Sequence, residues 1–417
     1  MNRNMMFSTL GLAQFRHHPG RSTLTRDDDQ GTNVNWRAEP AVVGHRQLVH
    51  RKTSDGEEIP VPVCATPAII GSAGIVLAGY DGVVRFLDPS LTKEYWSTRL
   101  RAGVYAPVVV DSAGPAVLIG CIDGSIARLS LKGALEWSVQ LGELPIYPTP
   151  LVLEALRLLV VATYHGRCFG LDLDDGSIRF NLELPRPWHA AKNGLAAWRD
   201  PYASPIAITD ETFVQCCAKS ALLIDACGTI LWEHTMDAPV RASPVFVPKT
   251  DEVLVVSTNG NCRFISTESG NARCELMLGS RIVASPAASG CVVAFGTMTG
   301  ELFGVDAESR LIAWRKTGFA PHDHSSIAVL PNGDFVLTTE RGNSAALQAS
   351  AGQFLWESDQ RLGLGSQDPR MNLTPLASPD GHLYCASYSG NVYSFVFPEI
   401  SSLPPKVVDT DDDDAAP

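Results

Sequence analysis

Apolar and polar residues follow a pattern along this chain that restarts about every forty residues. Its clearest copy runs from Ala284 to Trp314 and reads ASPAASGCVVAFGTMTGELFGVDAESRLIAW. A Ser-Pro entry leads into an apolar run, Cys291 to Gly296, and a tight turn ends at Gly300. The alternating stretch LFGVD follows, and after a second turn a short segment closes on Trp314. Short apolar runs and period-two alternation bounded by turn residues predict strands, so each copy predicts about four antiparallel strands, one propeller blade.

Two features repeat with the pattern. Glycines 82, 124, 166, 260, 300, 342 and 390 close the first turn of successive copies, at steps of 40 to 48 residues apart from a double step of 94 after Gly166. A copy without its glycine, QCCAKSALLID at Gln215 to Asp225, fills that double step. Glycine supplies the positive φ of such turns without steric cost, which gives its recurrence a mechanical cause. Pro67, Pro107, Pro150, Pro205, Pro244, Pro286 and Pro375 open the innermost strand, with Ser325-Ser326 at the missing position, because proline suits a strand start that has no donor to offer. Trp96, Trp137, Phe180, Trp232, Trp314 and Trp356, with Cys274 as the weak member, mark the outer strands and are expected to fill the wedge between blades.

Eight copies predict an all-β fold, an eight-bladed propeller of four-stranded antiparallel blades. The last copy stops after NVYSFVF without an outer strand, whereas NVNWRAE, Asn33 to Glu39, reads as an outer strand without a blade. The N-terminal strand is thus expected to complete the eighth blade. The division that follows is a loose segment 1–11, one propeller 12–397 and an acidic tail 398–417.

Composition narrows the class. A net charge of −12 over 417 residues argues against nucleic acid as partner, and no apolar stretch reaches the roughly 18 residues that span a bilayer. The ten cysteines show no paired spacing and no CxxC, which fits buried thiols in a reducing compartment and predicts a cytoplasmic protein. Export is the alternative, because Arg3 and the following MMFSTLGLA resemble a short signal sequence. No P-loop, GxGxxG before a helix, GxSxG or HExxH is present.

The segment LAQFRHHPGRST ahead of NVNWRAE, with the Ser-Pro entries, D-G turns and closing tryptophans, resembles the PQQ-like (quinoprotein alcohol dehydrogenase-like) β-propeller repeat family over roughly residues 12–397. The resemblance implies the propeller fold. For activity it implies a choice among quinoprotein dehydrogenases, scaffolds of the same shape, and propellers appended to adenylate-forming enzymes. Many such dehydrogenases carry a vicinal disulfide in a loop above the quinone. Cys216-Cys217 lies within a strand here, so that role is not transferred, and no Glu, Asn and Asp set for quinone-bound calcium is found. No cofactor and no metal are expected.

Three connectors exceed the basic period: Leu184 to Ser204, Phe319 to Ser326 and Asp359 to Pro375. All connectors from an outer strand to the next inner strand emerge on one face of a propeller, and loops on a rigid scaffold are where binding groups concentrate. Tyr105, Tyr147, Arg241, Arg281 and Arg370 precede inner strands and are expected to ring the channel mouth, either attracting an anion or pairing with carboxylates of neighbouring blades. His322, Asp323 and His324 are the candidate acid–base set, because two imidazoles two residues apart on an extended segment point the same way. Trp188, His189, Trp198, Arg199 and Tyr202 suit a lid or a docking patch. The leading expectation is a binding or scaffold protein for an anionic small molecule or partner protein at this face. A cofactor-independent tailoring enzyme is the alternative, and a quinone-dependent dehydrogenase is third.

Overall fold

The computed structural model describes residues 33–52, 58–186, 202–319, 325–339, 343–358 and 373–400. These residues form eight four-stranded antiparallel sheets and one small hairpin. Blade 1 consists of Ala68–Ile69, Ile75–Ala78, Val83–Leu87 and Glu94–Arg99, each strand bonded to the next. Blades 2 to 7 repeat the order, with first strands starting at Val109, Leu151, Ile206, Val245, Ala287 and Ala328. Blade 8 is Leu376–Ala377, His382–Ala386 and Asn391–Val396, completed by Ala41–Gln47 from the N-terminal side. The hairpin of Val49–Lys52 with Glu58–Pro60 lies between that closing strand and blade 1.

Closure by the N-terminal strand is as expected, but the residues differ. Asn33–Glu39 is not the outer strand; Ala41–Gln47 is, paired with Asn391–Val396 from Ala41 opposite Val396 to Gln47 opposite Asn391. The reason lies in Trp36, which is buried in the core beside Phe397 and offers its carbonyl to the Nε1 of Trp356 at 2.9 Å. Its aromatic side chain imitates an outer-strand marker, but its place is the turn before the strand. Val34 bridges Glu399, and Asn35 N–H donates to Pro398 O, so residues 398–400, expected in the tail, pair with this segment.

The wedge-filling role of the outer aromatics has a specific form. Trp96, Trp137, Trp232 and Trp314 donate Nε1–H to the carbonyls of Leu131, Leu173, Thr267 and Ala349, each in the third-to-fourth-strand turn of the next blade, at 2.7–3.0 Å. The ring faces meet a glycine in that turn. A Cβ on Gly352 would stand 2.6 Å from the Trp314 ring, and Gly352 has φ +60°, so both shape and backbone select glycine there. Blades 1, 2, 4 and 6 are each therefore fastened to the next blade by one hydrogen bond and one ring.

A second fastening runs nearer the axis. First strands of adjacent blades approach one another, and two residues before each strand stands Thr66, Pro107, Thr149, Ser204, Ser243, Ser285, Ser326 or Thr374. From blade 3 to blade 8 the backbone N–H of each such residue donates to the hydroxyl of the next: Thr149 to Ser204, Ser204 to Ser243, Ser243 to Ser285, Ser285 to Ser326, and Ser326 to Thr374, all at 2.9–3.1 Å. The Ser of Ser-Pro thus satisfies a buried amide of the preceding blade, while the proline that follows removes a donor for which there is no partner. Ser243→Ala should cost about 1–3 kcal/mol, the penalty for orphaning a buried amide, in urea unfolding. Thr149→Val should cost less than half as much, because its neighbour Pro107 has no N–H to satisfy.

The glycine-less turn is built differently from its counterparts. Cys217 pairs directly with Ser220, leaving two turn residues, and Ala218 takes φ +54°. In blade 1, Gly79 N–H bonds to Val83 O and three residues, Tyr80 to Gly82, make the turn. Blade 4 dispenses with the glycine by shortening the turn and placing an alanine in the left-handed region. Cys216 and Cys217, adjacent in one strand, are buried on opposite sides of the blade, Cys216 with Val214 and Val255, Cys217 with Phe213 and Leu222.

Candidate functional site

In blades 1, 2, 3, 5 and 6 the turn between the second and third strands is bonded to the connector entering that blade. Tyr80, Tyr164, Thr258 and Met298 N–H donate to the carbonyls of Pro62, Pro145, Pro239 and Arg281 at 2.7–3.0 Å. Connectors and these turns consequently share one face, and the remaining turns occupy the other. Four residues before the first strand, the connectors carry Cys64, Tyr105, Tyr147, Tyr202, Arg241 and Val283 in blades 1 to 6. This common register sets them around the entrance to the central channel.

Five of the chain's nine tyrosines meet there. Tyr105 and Tyr147 contact edge-to-face at 5.0 Å, Tyr147 and Tyr164 at 4.9 Å, and Tyr147 stacks with Tyr202 at 5.8 Å and 6°. Tyr164 and Tyr202 hydroxyls are 2.9 Å apart, and Tyr105 and Tyr388 hydroxyls 3.1 Å apart. At the end of the series the Arg241 guanidinium lies over the Tyr202 ring, 4.8 Å from its centre. The result is a continuous arc of rings and hydroxyls from blade 8 to blade 4, ending on a cation in blade 5. Edge-to-face packing of rings on rings fills space, so the arc makes a platform.

The structure thus brings together Tyr105, Tyr147 and Arg241 from the sequence-based set, with Tyr202. Arg281 is exposed on the same face but stands in another register, level with Pro239, because both carbonyls accept from the adjoining turn. Trp188, His189, Trp198, Arg199, His322, Asp323, His324 and Arg370 lie outside the described residues. Tyr164 and Tyr388 were missed by sequence reasoning. Their signal was present, because each stands two residues before a turn glycine, Gly166 and Gly390.

Arg241 and Arg281 differ from the arginines of the opposite face. On the face opposite the connectors, Asp111 is fully buried and receives Arg157 at 2.7 and 2.8 Å and Arg128 at 2.5 Å. Glu252, also fully buried, faces Arg310 at 2.5 Å, and Asp334 receives Arg37 at 2.8 Å. At the mouth, by contrast, Arg241 and Arg281 have no carboxylate partner among the described residues.

For a quinone with calcium, the described mouth residues are a poor fit. Tyrosine, arginine, valine and cysteine supply no carboxylate or amide oxygen set for a hard cation, and stacked rings occupy the platform. Among the described residues no group of three or more His, Cys, Asp or Glu could hold a metal ion, and no helix is long and apolar enough to cross a membrane.

Comparison with known proteins agrees with the fold. BamB from Moraxella catarrhalis is 15% identical, with a TM-score of 0.67 over 86% of this chain and 100% of that one. Sqt1 from Saccharomyces cerevisiae is 14% identical, with a TM-score of 0.67 over 87% and 100%. The C-terminal WD40 domain of Sif2 is 13% identical, with a TM-score of 0.63 over 82% and 98%. At such identities these likenesses speak for architecture alone. No curated protein matches the sequence. A family model described as outer membrane protein assembly factor BamB matches residues 21–223 and 218–401. With eight PQQ-like repeats closed by an N-terminal strand and a match across most of its length, the chain belongs to that family of PQQ-like propellers.

Proposed function

We propose that this protein is a binding scaffold that engages a partner at the connector face, through the tyrosine arc and Arg241. The observation that carries this reading is the stacked, exposed Arg241, a cation without a carboxylate among the described residues, at the end of a tyrosine platform. Tyrosine and arginine are the side chains in which interface energy concentrates, since they offer large rigid area together with polar edges. A platform of rings packed on rings also suits docking better than enclosure of a small substrate. Acid–base catalysis, the alternative, rests on His322, Asp323 and His324 outside the described residues, and no described feature favours it.

A photo-crosslinking residue placed at Tyr202 should capture a partner in the cells that make the protein, and the same residue at Leu311, on the rim of blade 6, should not. Adding Arg241→Glu should abolish the Tyr202 adduct while leaving the unfolding midpoint unchanged. Adducts at Leu311 alone would refute the reading. We further propose a reducing compartment, since Cys168, Cys262 and Cys385 are buried as thiols within strands. Thiol-blocking mass spectrometry on freshly lysed cells should find all ten cysteines reduced.

A further inference from the structure

The two fastenings between blades are not spread evenly round the ring. The boundaries of blades 4 and 5, 6 and 7, and 7 and 8 carry both, an indole bonded to the next blade's turn and an amide bonded to the next blade's hydroxyl. Boundaries 1 to 2 and 2 to 3 carry the indole alone, and 3 to 4 and 5 to 6 the hydroxyl alone. Between blades 8 and 1 neither is present among the described residues: Ala41–Gln47 has no tryptophan, and no bond joins Thr374 to Thr66. In their place Arg46 pairs with Glu94 at 2.7 Å, two partly exposed side chains whose attraction water screens. Gly44 lies against Ser90, so close that a Cβ would stand 2.0 Å from the Ser90 carbonyl oxygen. Leu87 and Leu91 of blade 1 share an apolar cluster with Tyr384 and Val392 of blade 8.

Blade 8 is also assembled from two distant parts of the chain, so a backbone ladder and no turn joins its closing strand to Asn391–Val396. The two ends of that strand are held unequally. Its start is pinned to blades 7 and 8: Val34 bridges Glu399, the Trp36 carbonyl accepts from Trp356, and Arg37 pairs with Asp334. Its end runs on into blade 1, where Leu48 N–H donates to Gly390 O and Val63 N–H to Ser387 O. Blade 1 has the same two bonds, Leu100 to Gly82 and Val104 to Gly79, so they add nothing that other boundaries lack. We infer that the ring opens at the boundary of blades 8 and 1, Ala41–Gln47 peeling from Asn391–Val396 from its Gln47 end while Trp36 stays seated. Opening frees the edge of Asn391–Val396 and parts Tyr388 of blade 8 from Tyr105 of blade 2, whose hydroxyls meet at 3.1 Å. Ring closure and the shape of the channel mouth are thereby coupled, whatever partner the mouth takes.

The test is native-state amide hydrogen exchange of the full-length protein, followed by mass spectrometry, with blade 4 as the like-for-like reference because its boundary with blade 5 carries both fastenings. The hydrogen-bonded amides of Ala41–Gln47 should exchange about tenfold faster than those of the outer strand Ile230–Thr235, and Asn391–Val396 faster than Ser220–Asp225. Within the closing strand, rates should rise from Ala41 toward Gln47. Low urea should leave this exchange nearly unchanged while it speeds that of blade 4, since peeling exposes far less surface than global unfolding. Arg46→Ala should speed exchange of the closing strand about twofold to fivefold, the reach of a partly exposed ion pair, and leave blade 4 unchanged. Gly44→Ala, which pushes the strand off Ser90, should speed it about tenfold or more. If Gly44→Ala does not fold, Arg46→Ala keeps the test intact. Equal rates in the closing strand and Ile230–Thr235, exchange of the closing strand only together with all blades, or equal acceleration of every blade by Arg46→Ala each overturns the inference.

Discussion

Replacing Asp111 with alanine should lower the stability of the protein by about 3–5 kcal/mol, the range for removing one partner of a buried ion pair. The size follows from what is left behind. Asp111 closes blade 2's first strand with no exposed surface, and it holds Arg157 of blade 3 through two hydrogen bonds, Arg128 of its own blade through a third, and the Gly114 amide through a fourth. Without the carboxylate, two guanidinium groups face each other at the boundary of blades 2 and 3, each left with one more exposed acidic partner, Glu136 for Arg128 and Asp174 for Arg157. Asp111→Asn keeps the shape but not the charge and should recover only part of the loss.

The same residue gives a pH signature with a definite sign. Burial alone would raise the Asp111 pKa, but hydrogen bonds from Arg157 and Arg128, with Gly114, outweigh it and hold the carboxyl below its usual range. A folded-state pKa below the unfolded value of about 3.9 means that the contribution is complete above that pH and is lost as pH falls through the lower, folded value. The stability gap between the native protein and Asp111→Asn, measured by urea unfolding, should be constant near neutrality and shrink only below about pH 4. A gap that shrinks instead between pH 6 and 8 would show that another group sets it.

Trp314→Ala should be comparably severe, at about 3–5 kcal/mol, because it opens a cavity and removes a fastening together. The indole is buried between Gly304 of its own blade and Gly352 of the next, beside Phe335, with Nε1 bonded to Ala349 O. Trp314→Phe keeps most of the ring and loses the bond, so it should fall between the native protein and the alanine variant. If phenylalanine costs as much as alanine, the hydrogen bond outweighs the packing. Blade 3 already carries this substitution naturally, since Phe180 lies against Gly228 and has no N–H to donate.

The fold of this protein was written in local signals. Turn glycines, the proline before each inner strand and the outer aromatics each answer a constraint within a few residues: a positive φ, a missing donor, a wedge to fill. A constraint that recurs every forty residues counts blades directly, and the eight sheets follow that count. Where one local signal imitated another, the sequence misled. Trp36 looks like an outer-strand marker, but its carbonyl serves the turn role for Trp356, and the true strand Ala41–Gln47 lacks an aromatic to announce it.

What tertiary structure alone decided was the partner of each polar contact made across blades. The serine of each Ser-Pro was visible as a strand entry, but its hydroxyl serves an amide some forty residues earlier, a partner set by ring closure. Asp111 meeting Arg157 on the opposite face, and Tyr105 meeting Tyr388 across 283 residues at the mouth, have no local correlate, because both depend on how separate blades are set against one another in the closed ring. For the same reason Arg241 and Arg281, alike in sequence as basic residues before a Ser-Pro, part company in space: two residues more before the serine move Arg281 from the mouth register to that of Pro239. Repetition is a property of the chain and can be read along it; convergence is a property of the closed ring, and only closure brings distant residues within reach.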